Sequence, residues 1–411
     1  MKQKGSTLLI LILGTLTALG PFSIDMYLPG FPAIADDLNC SVADVSLSLS
    51  SFFIGISGGQ LLYGPLLDRY GRKNPLYFGL AIYILASFAC VFATTIEALI
   101  ILRFVQAVGS CAAAVASVAM VRDLFPVEDS AKVFSLLMLV VGVSPMIAPT
   151  AGGYVTAAFG WHSVFVILTL MAALILVAVY FKLPESSKPD PSFSLKPRPI
   201  LLNFLNVVKE SQFTTYAITG AIAFAGLFAY VAGSPLVFME IFSVNEKEYG
   251  WIFALLSVGF IGGSQVNSFL LKTFKSEQIV LTALICQSVV GVLFFIGTAN
   301  NLLGLTGTIC MLFVFLACLG FTFPNASALS LAPFSKNAGS ASALMGAVQM
   351  AIGAMASIAI SVFSNHTAIP MVGVMAASAI LALLILLIGR RKIRYQVDKQ
   401  PVAELINEVV I

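Results

Sequence analysis

Two ionisable side chains, Asp25 and Arg103, lie inside stretches of sequence that are otherwise apolar. Asp25 ends a run without charge that begins after Lys4, and Arg103 interrupts the apolar run 98–124. A carboxylate in such a place can hold a proton or bind a cationic or polar small molecule, and the two compete for it. Ionisable groups within membrane spans usually face a bundle interior or water. Asp25 and Arg103 therefore predict a proton-coupling site.

Arg103 shares one helical face with other polar residues. Gln106, Ser110 and Ser117 follow it at spacings of three, four and seven, which places all four in one stripe. We interpret the stripe as the lining of an aqueous cavity, with Asp25 at the same depth, roughly 6–10 Å below the outer surface. Each residue has an alternative interpretation. Arg103 extends to the lipid headgroups, or Asp25 is solvated at a frayed helix end.

Broad selectivity for small molecules requires an apolar and aromatic lining with a few polar groups. Position along the predicted helices gives the following substrate-cavity candidates, each of which is alternatively a packing residue: Tyr27, Phe52, Phe53, Gln106, Ser110, Tyr230, Phe321 and Phe323.

Composition places the chain in the membrane. Of its 411 residues, 59% are hydrophobic and 10% are charged, whereas a soluble domain carries about 25% charge. A span needs about 20 apolar helical residues. Five uncharged runs and the run 98–124, which Arg103 interrupts, hold one helix each, and the uncharged runs 132–182, 277–336 and 336–390 hold two each. The prediction is an all-α membrane protein with twelve transmembrane helices, the first of which is a retained span and not a signal peptide.

Basic residues set the orientation. With a cytoplasmic N-terminus, every Lys and Arg except Lys247 and Arg103 falls in a cytoplasmic loop or tail. The distribution predicts that both termini are cytoplasmic, and it explains the net charge of +3 without nucleic-acid binding.

The longest hydrophilic stretch, with "PESSKPDPSFSLKPRP", divides the chain. We predict an N-terminal six-helix half at 1–183, a cytoplasmic linker at 184–212, a C-terminal six-helix half at 213–389 and a cytoplasmic tail at 390–411. The halves are weakly alike at an offset of about 204 positions. Two repeated halves around a midplane site are typical of secondary transporters.

Catalytic chemistry is not indicated. The chain has two histidines, both in predicted loops, and no Ser/His/Asp grouping or nucleotide-binding loop. Five of the six cysteines fall in predicted spans, and no close-spaced Cys/His cluster predicts a metal site. We therefore predict no catalytic residue, no metal and no cofactor, and a membrane-embedded enzyme is the disfavoured alternative.

The loop "GPLLDRYGRKNPL" at 64–76 resembles the signature loop of the major facilitator superfamily. The matching residues are Gly64, Leu66, Asp68, Arg69, Gly71, Arg72, Lys73 and Leu76. A loop that only obeyed the positive-inside bias would need neither the glycines nor Asp68. The resemblance implies that Asp68 caps the helix that starts near Ala338 and that Arg72 pairs with Asp123. Both contacts would lock the halves in the outward-facing state.

Further stretches resemble drug:proton antiporters with twelve spans. "RFVQAVGSC" at 103–111 is similar to their motif with an intramembrane Arg. "GVSPMIAPTAGG" at 142–153 is similar to the antiporter motif and predicts a helix bend at Gly142, Pro145, Pro149, Gly152 and Gly153, although Met146 and Ile147 depart from that motif. "SIDMYLPGF" and "VRDLF" resemble the Bcr/CflA (bicyclomycin and chloramphenicol resistance) branch.

This resemblance implies proton-coupled efflux of small amphipathic drugs or metabolites by alternating access. The expected partners are a small-molecule substrate, protons and the lipid bilayer, with no nucleic acid. The expected protein is a monomer in the bacterial inner membrane, driven by the proton gradient. Two alternatives stay open: a proton-coupled uptake symporter for a sugar or other metabolite, and a non-transporting membrane receptor.

Overall fold

The computed structural model describes residues 2–125, 127–190, 197–334 and 338–397, and these residues form helices joined by short connections. The helices are α1 Lys2–Asp25, α2 Phe31–Asp37, α3 Val42–Tyr70, α4 Lys73–Cys90, α5 Ile96–Leu124, α6 Val127–Phe159, α7 His162–Lys182, α8 Pro197–Val208, α9 Ser211–Pro235, α10 Glu246–Leu270, α11 Ser276–Ala299, α12 Leu305–Leu331, α13 Ala338–Val362 and α14 Ile369–Val397. A 3₁₀ turn, Leu28–Gly30, precedes α2, and a π-helical segment, Leu236–Ile241, follows α9.

The predicted all-α membrane architecture is confirmed. Within the described ranges, eleven helices are long and apolar enough to cross a membrane. The predicted span between Lys73 and Glu97 corresponds to α4, which is not among these eleven; it has 18 residues, begins with Lys73-Asn74-Pro75 and packs against α5 and α7. The three long uncharged runs divide into helix pairs, with breaks at residues 160–161, 300–304 and 363–368.

Short polar sequences start several of the helices. Ser41 accepts a hydrogen bond from the backbone N–H of Asp44, whose carboxylate accepts one from Ser41 N–H, so that α3 begins with a reciprocal capping box. Asn245 and Glu248 repeat this arrangement at the start of α10. These caps fix where the chain re-enters the apolar bundle after each connection.

The two ends of the bundle are packed differently. We call the end with connections 91–95, 160–161 and 242–245 the outer end, and the end with connections 71–72 and 271–275 the inner end. Near the outer end, one cluster of buried apolar side chains includes both halves, with Tyr27 and Phe53 from the first and Tyr230, Phe238 and Tyr249 from the second.

Near the inner end, each half has a core of its own. Leu16, Leu67 and Met120 belong to a cluster of the N-terminal half, and Leu284 and Leu386 belong to a cluster of the C-terminal half. Because the shared core is at the outer end, the two halves are packed together there.

A row of serines on α3 contacts the C-terminal half. The Ser46 hydroxyl donates to the carbonyl of Ala232 at 3.2 Å, and Ser57 donates to the carbonyl of Ala347 at 2.8 Å. Between them, Ser50 donates to the hydroxyl of Ser357 at 2.6 Å. Spacings of four and seven place the three serines on one face of α3, against α9 and α13.

The linker contains a helix that the sequence analysis did not anticipate. In α8, Val207 is buried and joins a small cluster with Phe213, Ala217 and Ala341. The helix therefore rests on the inner ends of α9 and α13. The rest of the predicted linker includes residues 191–196, which are outside the described ranges.

Candidate functional site

Asp25 is the last residue of α1 and is buried, with 5% of its surface exposed. Met26 and Tyr27, which follow it, belong to the core shared by the two halves. In the described part of the chain, no hydrogen bond or ion pair reaches the Asp25 carboxylate. A carboxylate without a partner in such a core is much more stable when neutral than when charged.

Two tyrosines of the C-terminal half lie within electrostatic range of Asp25, Tyr230 on α9 and Tyr249 on α10. The Tyr230 hydroxyl is buried and has no hydrogen-bond partner among the described residues. The Tyr249 hydroxyl is 2.8 Å from the hydroxyl of Ser234. Asp25, on the N-terminal half, thus lies near hydroxyl groups of the other half.

Arg103 occupies a separate, enclosed site and makes no ion pair with Asp25. Its side chain is fully buried and lies between the rings of Tyr27 and Phe52, each centred 4.2 Å from the guanidinium carbon. One guanidinium nitrogen donates to the Ser23 carbonyl at 2.8 Å, and another donates to Gln106. The aromatic faces and acceptors stabilise a cation that arginine cannot lose. The alternative in which Arg103 extends to the headgroups is wrong.

The polar stripe of α5 is packed against its neighbours. Gln106 donates from its amide to the hydroxyl of Ser87 on α4 at 2.7 Å, and Ser117 lies 2.8 Å from Thr17 on α1. Ser110 donates within α5, to the carbonyl of Ala107. In this conformation the stripe is a buried network between α1, α4 and α5, and it lines no open cavity.

The aromatic candidates separate into two groups. Phe53 meets Phe228 edge-on across the two halves, with ring centres 4.5 Å apart, and Phe323 packs against Phe224 at 4.6 Å. Phe321 lies apart from them, in a crevice of about 300 Å³ between α10, α11 and α12. Positions 321 and 323 of α12 point in different directions, so Phe321 and Phe323 do not line one site.

The signature loop forms a compact ionic cluster at the inner end. The Arg72 guanidinium donates to Asp68 at 2.7 Å and to Asp123 at 2.8 Å, which joins α3, α4 and α5. Partial burial by itself would lower the pKa of Arg72, but its hydrogen bonds to Asp123 and Asp68 raise it overall. Gly71 has a φ of +81°, in the left-handed region that favours glycine.

The start of the linker completes this cluster. The Glu185 carboxylate accepts from the backbone N–H groups of Arg72 at 2.8 Å and Lys73 at 3.0 Å, which caps the start of α4. The Ser186 hydroxyl donates to Asp123 at 2.8 Å. Neither residue was predicted from the sequence, in which the one signal for them is their position shortly after α7.

Other residues of the loop lie at its edges. Arg69 packs over the ring of Tyr70, and Lys73 packs over the ring of Tyr77. Gly64 has open space beside it, because a Cβ atom at this position would meet no neighbouring helix within 4 Å. The predicted contact of Asp68 with the start of α13 involves residues 335–337, which are outside the described ranges, and it stays a prediction.

The glycines of the α6 motif allow close backbone contact. A Cβ atom on Gly152 would collide with the carbonyl of Met26, and one on Gly153 would collide with the carbonyl of Glu246 in the other half. The Thr150 hydroxyl donates to the Gly250 carbonyl at 3.1 Å. Pro145 and Pro149 lie inside α6, which continues through both, and Gly142 lies nearer the inner end.

The fold and the buried acid at the junction of two six-helix halves define a polytopic membrane transporter. The chain belongs to the Major Facilitator Superfamily, whose family model matches residues 13–359. It is therefore a multi-pass transporter of small molecules and not an enzyme.

Similar proteins come from several bacteria. The chain is 33% identical to a "Bicyclomycin resistance protein homolog" of Haemophilus influenzae, over 93% of this chain and 96% of that protein. It is 31% identical to the "Uncharacterized MFS-type transporter YdgK" of Bacillus subtilis, over 92% and 94%. It is also 31% identical to the "Multidrug resistance protein MdtL" of Escherichia coli, over 82% and 83%.

Solved structures share the fold. A bacterial homolog of the human lysosomal transporter Spinster, in an inward-facing and occupied conformation, superposes with a TM-score of 0.72 at 13% identity. The unoccupied inward-facing structure superposes with a TM-score of 0.70 at 14% identity. Each of the two superpositions covers 95% of this chain and 96% of the solved chain.

Proposed function

We propose that the chain is a proton-coupled exporter of small amphipathic drugs or metabolites that works by alternating access. It uses the proton gradient and no cofactor, and it acts as a monomer in the bacterial inner membrane with both termini in the cytoplasm. The resistance named in the Haemophilus influenzae and Escherichia coli relatives supports export. The one-sided distribution of basic residues supports the orientation.

The observation that carries the proposal is the burial of Asp25 in the core that joins the halves. A charged carboxylate sealed in such a core costs several kcal/mol, whereas the neutral acid costs far less. Closure of the outer end therefore favours protonated Asp25. When the outer end opens, water reaches the carboxylate and the charged form becomes accessible.

A substrate that arrives from the inner end provides the other half of the cycle. A cationic or polar group near Asp25 stabilises the charged form, so that substrate binding releases the proton to the inner side. The loaded protein then opens outward, where protonation of Asp25 displaces the substrate. One acid thereby exchanges a proton for a substrate in each cycle.

Arg103 acts in this scheme as a positioning residue. Its bond to the Ser23 carbonyl holds the last turn of α1, two residues before Asp25. At the inner end, the cluster of Asp68, Arg72 and Asp123 ties α3, α4 and α5 into one unit, which the halves need when they move as rigid bodies.

Proton-coupled uptake is the second candidate, because Met146 and Ile147 depart from the antiporter pattern in α6. Direction of transport separates the two. In inverted vesicles, an exporter accumulates substrate when the lumen is acidic, whereas a symporter loses it under the same gradient.

Growth tests identify a substrate for that vesicle assay. An efflux-deficient bacterial host that expresses the chain is tested against a panel of growth inhibitors, with Asp25→Asn as the matched inactive variant. We expect resistance to amphipathic compounds that depends on Asp25. Equal sensitivity of both strains to every compound, with both proteins present in the membrane, would overturn the drug-efflux proposal.

A further inference from the structure

A crevice of about 300 Å³ opens between α10, α11 and α12, outside the core that joins the halves. Its wall is apolar, with Ile279 and Ala283 from α11 and Cys318 and Phe321 from α12. Leu270 and Phe274 border it where α10 ends at the inner end. The proposed exchange of a proton for a substrate at Asp25 does not involve this crevice.

The polarity of the crevice changes along its length. Gln278 and Thr282, both exposed, supply an amide and a hydroxyl on the α11 side. Beyond them, the turn 271–275 carries the exposed side chains of Lys272 and Lys275 at the inner end. The apolar wall matches the acyl chain of a phospholipid, the amide and hydroxyl match its ester groups, and the basic turn matches its phosphate.

No acidic side chain of the first turn of α11 cancels this positive charge. Glu277 lies within electrostatic range of Tyr216 on α9, which places its carboxylate toward α9 and away from the crevice. The rim is therefore suited to an anionic headgroup.

The length of the crevice also fits one leaflet. At about 1.5 Å per residue, α11 rises about 16 Å from Lys275 to Cys286. Half of a hydrocarbon core of about 30 Å is about 15 Å. An acyl chain whose headgroup lies at the lysines therefore ends near the deepest residues of the crevice.

We propose that this crevice binds an anionic phospholipid, of the phosphatidylglycerol type, with an acyl chain against α11 and α12 and the phosphate at Lys272 and Lys275. A purely apolar compound would bind to the apolar wall of the crevice and would not need Lys272 and Lys275. Headgroup selectivity therefore distinguishes the lipid from a hydrophobic transport substrate.

The test uses the full-length protein in phosphatidylcholine nanodiscs that contain a trace of phosphatidylglycerol with a diazirine on its acyl chain. After illumination, cross-linked peptides are mapped by mass spectrometry. We expect labelling at residues 279–286 and 318–321, competed by unlabelled phosphatidylglycerol. The exposed Cys310 region of α12 serves as the internal control and should show only background labelling.

Two pairs of variants complete the test. Thr282→Trp fills the crevice and should remove the labelling, whereas Ile285→Trp, on the lipid-facing surface of the same helix, should not. Lys272→Gln with Lys275→Gln should weaken the preference for phosphatidylglycerol by roughly 25-fold, about fivefold for each lysine near an anionic headgroup, whereas Lys392→Gln should leave it unchanged. Equal labelling by a phosphatidylcholine probe, or labelling spread evenly over the lipid-facing surface, would overturn the proposal.

Discussion

The guanidinium of Arg103 donates to the backbone carbonyl of Ser23, with 2.8 Å between nitrogen and oxygen. Carbonyl groups in the last turn of a helix lack an intrahelical donor, and Arg103 supplies one there. Asp25 lies two residues further along, where α1 ends. Arg103 thus fixes the backbone that carries the buried acid, while the carboxylate itself makes no ion pair with Arg103.

Asp25→Asn should abolish accumulation of substrate driven by a pH gradient while it preserves substrate exchange. The amide keeps the shape and polarity of the side chain but cannot titrate, and exchange needs no net proton movement. Substrate-induced proton release from purified protein in detergent is the measurement, with the exposed Asp36→Asn as the control. Undiminished proton release from Asp25→Asn would place the coupling site elsewhere, and the next candidate is Glu240, an acid in the π-helical segment at the outer end.

Arg103→Met should lower the free energy of unfolding by about 2–4 kcal/mol, from lost cation–π contacts and unpaired buried acceptors. Arg103→Lys keeps the charge but not the planar fork that reaches both Ser23 and Gln106, so it should also be destabilised and transport slowly. The measurements are thermal unfolding in detergent and initial transport rates. Full activity of the Arg103→Lys variant would show that Arg103 contributes its charge and not the geometry of its hydrogen bonds.

Gly153→Ala should shift the protein toward the outward-open state. Its Cβ atom would collide with the backbone of Glu246, so the two halves could no longer meet at the outer end. A cysteine at Ser46, now 1% exposed against the other half, should be alkylated several-fold faster in this background. Gly142→Ala on the same helix has room for a methyl group and is the matched control; an equal rise there would contradict the explanation.

Asp68→Asn should reduce transport while substrate binding stays largely intact. The substitution weakens a charge-assisted hydrogen bond to Arg72, which holds the inner ends of α3 and α4 together. Binding and initial transport rates are measured on the same preparation. Parallel loss of both would indicate misfolding, and full activity would show that the loop only sets topology.

Both termini should be cytoplasmic. In a background without the six native cysteines, a cysteine at Asn301 should react with an impermeant maleimide in intact cells. A cysteine at Lys188 should react only after permeabilisation. Labelling of Lys188→Cys in intact cells would reverse the assigned orientation.

The sequence by itself determined the membrane-spanning architecture. Hydrophobic runs and the charges between them located the long apolar helices, because each span in lipid must satisfy its backbone hydrogen bonds internally and needs about 20 apolar residues. Each of the three long uncharged runs divides into two helices, as predicted. The sequence also singled out Asp25 and Arg103, since charge within an apolar run is conspicuous.

Only the tertiary structure decided what these side chains contact. Depth along two helices placed Asp25 and Arg103 at one level, but rotation about each helix axis is set by packing against neighbours. That packing turned Arg103 toward Ser23 and Gln106 and left Asp25 without an ion pair, within electrostatic range of Tyr230. It likewise separated Phe321 from Phe323 and brought Glu185 onto Arg72. These contacts join residues far apart in the chain, and local periodicity carries no information about such pairs.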